Sequence, residues 1–225
     1  MSTPTSLSPL PTPSIEKPAW LTNTSTVLIF TDPGIPALKP SINLCKTYRG
    51  SYFKLLGGGA LCCAQVNESK DPKAYTPPHE LPKEELIPWL CKAMKNAHED
   101  PALPARVFVI HTHTVLNDVI DVLKFERTVC TPALVIYLSC HQSVSIENYR
   151  KVGRTHTASA VEDRLAFKKK LGPVLEMYEG RGVLSEIQVC SGTDNTYLEG
   201  EMGRVIERAV LVEKGERRWE FKDSV

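Results

Sequence analysis

Thr26-Val27-Leu28-Ile29-Phe30-Thr31, running into Asp32-Pro33-Gly34, is the stretch on which the reading of the chain turns. Aliphatic, β-branched and aromatic side chains in an unbroken short run make a buried strand, and an Asp-Pro-Gly tripeptide ends it in a turn. Downstream, Thr47 to Leu56 places Tyr48, Tyr52 and Phe53 at strand-like spacing, Gly57-Gly58-Gly59 breaks the chain, and Ala60 to Val66 is apolar again. Glycine turns between short apolar runs predict an antiparallel meander of three strands. The triple glycine precedes no helix and no Lys-Ser/Thr pair, so it reads as a hairpin turn and not as a phosphate cradle.

After a proline-bearing loop the pattern changes period. Leu86, Leu90, Ala93, Met94 and Ala97 fall on one side of a helix that begins near Lys83 or Glu84 and runs to His98, with Pro88 tolerable near its start. Arg106 to Ile110 is a buried strand ending at His111-Thr112-His113, followed by a helix carrying Val115, Val119, Ile120, Val122 and Leu123, with Asp118 and Asp121 on its solvated side. A strand between two helices suggests parallel pairing there. Ala133 to Leu138 is a strand or a short buried helix, and 144–160 a polar loop with some helix. Val161 to Tyr178 is a helix that Pro173 kinks or breaks and that Gly180 and Gly182 end. Leu184 to Cys190 is a strand, Ser191 to Asp194 a loop, and Leu198 to Leu211 a closing helix.

Composition bounds the function classes. The chain has 225 residues, 42% hydrophobic and 24% charged, which supports a sizeable core without metals or disulfides. A formal net charge of +1 excludes a uniformly basic or acidic surface, so any basic face must be local. The seven cysteines are odd in number and form no CxxC, which predicts free thiols in a reducing compartment, cytoplasmic or nuclear. No run of about 18 apolar residues occurs, and no secretory leader opens the chain, so no membrane is expected. Residues 1–25 are rich in Ser, Thr and Pro and read as a disordered or loosely attached arm, whose end Leu10, Trp20 and Leu21 are placed to pin to the body. The expected organisation is that arm, a domain over 26–212 and a charged tail over 213–225.

Three hairpin strands, a helix, then alternating strands and helices is an order that resembles the ribonuclease H-like superfamily. Val27 to Gly34 is similar to that family's first strand and its Thr-Asp-Gly turn. Glu85-Leu86 resembles the opening of its first helix, Val107 to His113 its fourth strand, and Ser185 to Thr193 its last strand and loop. The resemblance implies an α/β fold with a mixed five-stranded sheet, three strands antiparallel and the rest parallel. It also implies a two-metal phosphodiesterase site built from four carboxylates that hold Mg²⁺ or Mn²⁺. On this pattern Asp32 and Glu85 are the first two ligands, His113 stands third, and Gly203 stands where the fourth carboxylate belongs. Glu201, Glu199 or Asp194 are the substitutes within reach, Glu201 foremost. Imidazole is a poor ligand for a hard cation, so the resemblance implies a retired nuclease that binds RNA, an RNA–DNA hybrid or a protein partner. An active hybrid-cleaving endonuclease and a protein scaffold without nucleic-acid affinity are the alternatives. Arg164, Lys168, Lys169 and Lys170 form a basic cluster suited to phosphate contacts, with solvated helix faces as the plain structural reading. His111-Thr112-His113 also matches the opening of zinc hydrolase sites, but Val115 and Leu116 follow where further ligands belong.

Overall fold

The computed structural model describes residues 19–21, 24–47, 53–56, 83–101, 105–112, 116, 118–151 and 157–211. Five strands follow one another in the chain: β1 (Ser25–Thr31), β2 (Phe53–Leu56), β3 (Val107–His111), β4 (Leu134–Cys140) and β5 (Leu184–Val189). All five pair in parallel, in the order β2-β3-β1-β4-β5. Val27 lies opposite Val109 of β3, and Ile29 opposite Ile136 of β4. The α/β class expected from the sequence holds, whereas the mixed sheet with an antiparallel meander does not.

The reason is a helix the sequence reading passed over. α1 (Leu38–Thr47) stands between β1 and β2 and buries Pro40, Ser41 and Leu44. A helical crossover returns the chain to the starting end of the sheet, so the next strand runs parallel, while a hairpin would have forced it antiparallel. Pro40 is the third residue of α1, where the missing N–H is one of the donors a helix start leaves unpaired anyway. β2 then lies at the sheet edge beside β3, not beside β1. The expected strand over 60–66 and the Gly57–Gly59 turn fall outside the described residues.

The remaining helices are α2 (Lys83–His98), α3 (Val119–Thr128), α4 (Gln142–Lys151), α5 (Thr157–Gly180) and α6 (Asn195–Ile206), the last continued by a π-helical segment, Glu207–Leu211. The polar stretch expected as loop is therefore mostly α4 and the first turn of α5. Pro173 sits inside α5 without ending it, at the cost of one backbone bond to the Lys169 carbonyl.

β1 and β4 are buried at every position, as central parallel strands covered on both faces must be. Their side chains alternate between two cores. Leu28, Phe30, Phe108, Val135 and Tyr137 pack with Leu90 and Met94 of α2, Phe125 of α3, and Leu171, Val174 and Tyr178 of α5. Val27, Ile29, Val109, Ile136 and Leu138 pack with Leu44 of α1 and with Leu198, Met202 and Ile206 of α6. The edge strand β5 alternates buried Ile187 and Val189 with exposed Glu186 and Gln188. Ahead of β1, Leu21 is buried and Trp20 stacks on His98 at 5.9 Å, so the start of the described chain is pinned to α2. No helix among the described residues is long and apolar enough to cross a membrane.

Candidate functional site

The chain leaves β1 toward α1, whose Leu44 packs on one face of the sheet, and leaves β4 through α4 to α5, whose Leu171, Val174 and Tyr178 pack on the other. Adjacent strands whose connections diverge open a crevice at their carboxyl ends, the usual ligand position in an open parallel sheet. Asp32 stands at that point as the first residue after β1, and it is completely buried.

Each oxygen of Asp32 is engaged. The Tyr137 hydroxyl donates to Oδ1 at 2.5 Å, and the Cys140 amide donates to Oδ2 at 3.1 Å. Arg164 Nη2 donates to the same Oδ2 at 3.1 Å, and Lys168 Nζ lies 3.2 Å from it. Arg164 Nη2 also donates to the Cys140 carbonyl, while its Nε is buried without a partner. Burial, followed by the bond to Asp32 and that carboxylate's charge, pushes the Tyr137 phenol far above its ordinary range. Burial and then the Asp32 charge also push the Cys140 thiol up.

Two cations thus face one buried carboxylate. Glu186, the register partner of Tyr137, is the further acid that Tyr137 senses, and it is exposed on the edge strand. Arg164 is almost buried, whereas the Lys168 side chain is 39% exposed and forms the accessible arm of the pair. Arg164 and Lys168 are one helical turn apart and continue, toward the start of α5, the stripe that buries Leu171, Val174 and Tyr178.

The loop from β1 to α1 is closed rather than cradling. A strand–loop–helix that binds a triphosphate presents consecutive backbone N–H groups from a GxxxxGK[ST] sequence. Setting the motif's lysine on Lys39 puts Pro33 and Leu38 at its glycines and Pro40 at its hydroxyl. Pro33 and Pro36 have no N–H, and the amides of Asp32, Ile35 and Ala37 donate to the carbonyls of Leu138, Asp32 and Ile35. Ser145 of α4 clamps the loop, its hydroxyl donating to the Pro33 carbonyl at 2.5 Å. Gly34 makes that approach possible: its φ is +93°, and a Cβ there would lie 3.0 Å from the Ser145 carbonyl oxygen.

Of the residues singled out from sequence, the structure brings together Asp32, Arg164 and Lys168. Lys169 and Lys170 are exposed on other sides of α5, so the basic run is not one phosphate-facing surface. Glu201 pairs with Arg204 at 2.8 Å on its own helix, and Glu199 accepts from Thr47 at 3.1 Å. Asp194 caps α6, accepting from the Tyr197 amide at 2.7 Å, and Asp118 caps α3 while Asp121 is buried. Glu85 lies on α2 with its side chain outside the described residues, as is His113. Among the described residues no three His, Cys, Asp or Glu side chains gather as a metal set. Tyr137, Cys140 and Ser145 were not foreseen; the signal available was the placement of two cations on the buried stripe of α5.

The chain matches no protein-family model and no curated protein. Among solved structures it is similar to a gluconokinase from Sinorhizobium meliloti 1021, at a TM-score of 0.50 and 13% identity, over 87% of this chain and 99% of that one. At that identity the likeness speaks to the fold alone. It is a parallel α/β architecture, and with the all-parallel sheet it overturns the ribonuclease H resemblance. The pseudo-nuclease, the active endonuclease and the nucleic-acid-binding reading rested on that fold and fall with it.

Proposed function

We propose that the chain binds a small phosphate ester or similar oxyanion at the carboxyl ends of β1 and β4, and that its β1 loop does not hold a triphosphate for phosphoryl transfer. One observation carries the reading. Two cations converge on a single buried carboxylate at the topological switch point, leaving an uncompensated positive charge whose accessible part is the Lys168 ammonium. The fold shared with a gluconokinase supports a site at this edge. The committed loop amides and the two prolines argue against a triphosphate cradle.

Thermal melting with inorganic phosphate, run beside a turnover assay with ATP and sugar-acid or nucleotide acceptors, tests this. Phosphate at ten times its dissociation constant adds about 1.4 kcal/mol of stability. The expected result is a melting temperature raised by a few degrees, lost in Lys168→Gln, with no ADP formed. An unchanged melting temperature, or ATP turnover, would overturn it.

A further inference from the structure

Resting on the anion reading just given, we infer that Asp32 is a specificity-determining residue that restricts the site to a singly phosphorylated or comparably small anion and rejects polyphosphates. The carboxylate is not a free side chain able to swing aside. It is held by Tyr137, the Cys140 amide, Arg164 and Lys168, and it is wholly buried, so water does not screen it. Its Oδ2 is shared by both cations that a ligand would use.

An incoming oxyanion therefore meets an ammonium already partnered 3.2 Å behind by a fixed negative charge. The first phosphoryl group is held by the surplus positive charge. Among the described residues only Arg164 and Lys168 pair with Asp32, so a second and third add charge without meeting a further cation of that cluster. Lys169 and Lys170 follow Lys168 directly on α5, and consecutive helical residues do not share a face. Lys39, exposed at the start of α1, is outside the cluster around Asp32. Each added group instead approaches the buried carboxylate, and like charges a few ångströms apart disfavour one another by at least about tenfold.

The test is calorimetric titration of the full chain with inorganic phosphate, pyrophosphate and tripolyphosphate at fixed ionic strength. The wild-type chain is expected to bind phosphate at least as tightly as tripolyphosphate. Asp32→Asn is expected to tighten tripolyphosphate by about tenfold or more and phosphate by less. Asp32→Glu keeps the charge and the wild-type order. Should Asp32→Asn not fold, Asp32→Ser replaces it, and the wild-type order stands as a test without any variant. Wild-type preference for tripolyphosphate by more than about tenfold, or an Asp32→Asn order unchanged from wild type, would overturn the inference and leave the anion site intact. Binding of none of the three anions by the wild-type chain would overturn the anion reading, and the inference with it.

Discussion

Two strand-to-helix loops at the same edge of the sheet are built in opposite ways. The loop after β5 is shaped mainly by its own residues. Thr193 Oγ1 accepts from the Cys190 amide at 3.0 Å, Gly192 turns the chain at φ +82°, and Asp194 caps the helix that follows. Apart from the exposed Ser191 hydroxyl, which donates to Glu147 of α4 at 3.0 Å, these partners lie within a few residues, and a Ser-Gly-Thr-Asp string announces such a turn. The loop after β1 is fixed from far away, by Tyr137, Cys140, Ser145, Arg164 and Lys168. One loop is a connector whose sequence explains it. The other is a junction whose residues make sense only once β4, α4 and α5 are in place.

Substitutions should reproduce that difference, and the largest effect belongs to the junction. Asp32→Ala leaves Arg164 buried without its counter-charge and orphans the Tyr137 hydroxyl. A loss of about 3 kcal/mol in urea unfolding is expected, toward the low end for a broken buried pair because Lys168 can rehydrate. A change below about 1 kcal/mol would place the cluster among ordinary surface pairs.

The two glycines come next. Gly34→Ala and Gly192→Ala both force a left-handed φ on an L side chain, which costs roughly 1–2 kcal/mol each. Only at position 34 does the new Cβ also press on Ser145, since nothing lies within 4 Å of it at 192. Gly34→Ala should therefore be the more damaging, and equal melting temperatures for the two variants would break the contrast. Asp194→Ala should cost about 1 kcal/mol, confined to the start of α6 and visible as faster amide exchange there and not at Asp32.

Alkaline pH gives the smallest effect. Burial raises the Cys45 thiol to about 12, the Cys91 thiol to about 11, and Cys140 and Tyr137 as well. These groups ionise earlier in the unfolded chain. Their contribution is therefore complete below the unfolded thiol value of about 8.5 and declines as pH rises toward the folded values. Melting temperature should fall steadily from about pH 9 upward, and Cys91→Ser should flatten the slope.

The same contrast marks what the sequence made legible. β1 and β3 declare themselves through unbroken apolar runs, β5 through alternation and the long helices through helical spacing, because those signals are written in neighbouring residues. β4 reads equally as strand or buried helix because seven buried residues in a row carry no period. α1 was missed because Pro40 and the polar Lys39, Ser41 and Asn43 hide a short helix, and with it went the parallel topology and the fold resemblance. Asp32 reads as a strand-end carboxylate, and Arg164 and Lys168 as part of one basic cluster, but the sequence does not join the two. Nothing in local sequence says that a residue after the first strand meets a helix more than a hundred positions later.

The most direct test of the account is a calorimetric titration of inorganic phosphate into the wild-type chain and into Lys168→Gln. Saturable binding to the wild type, abolished in Lys168→Gln while its melting temperature without phosphate stays close to wild type, is the predicted result. Equal binding by the two proteins, or none by the wild type, would show that the surplus charge beside Asp32 is not an anion seat.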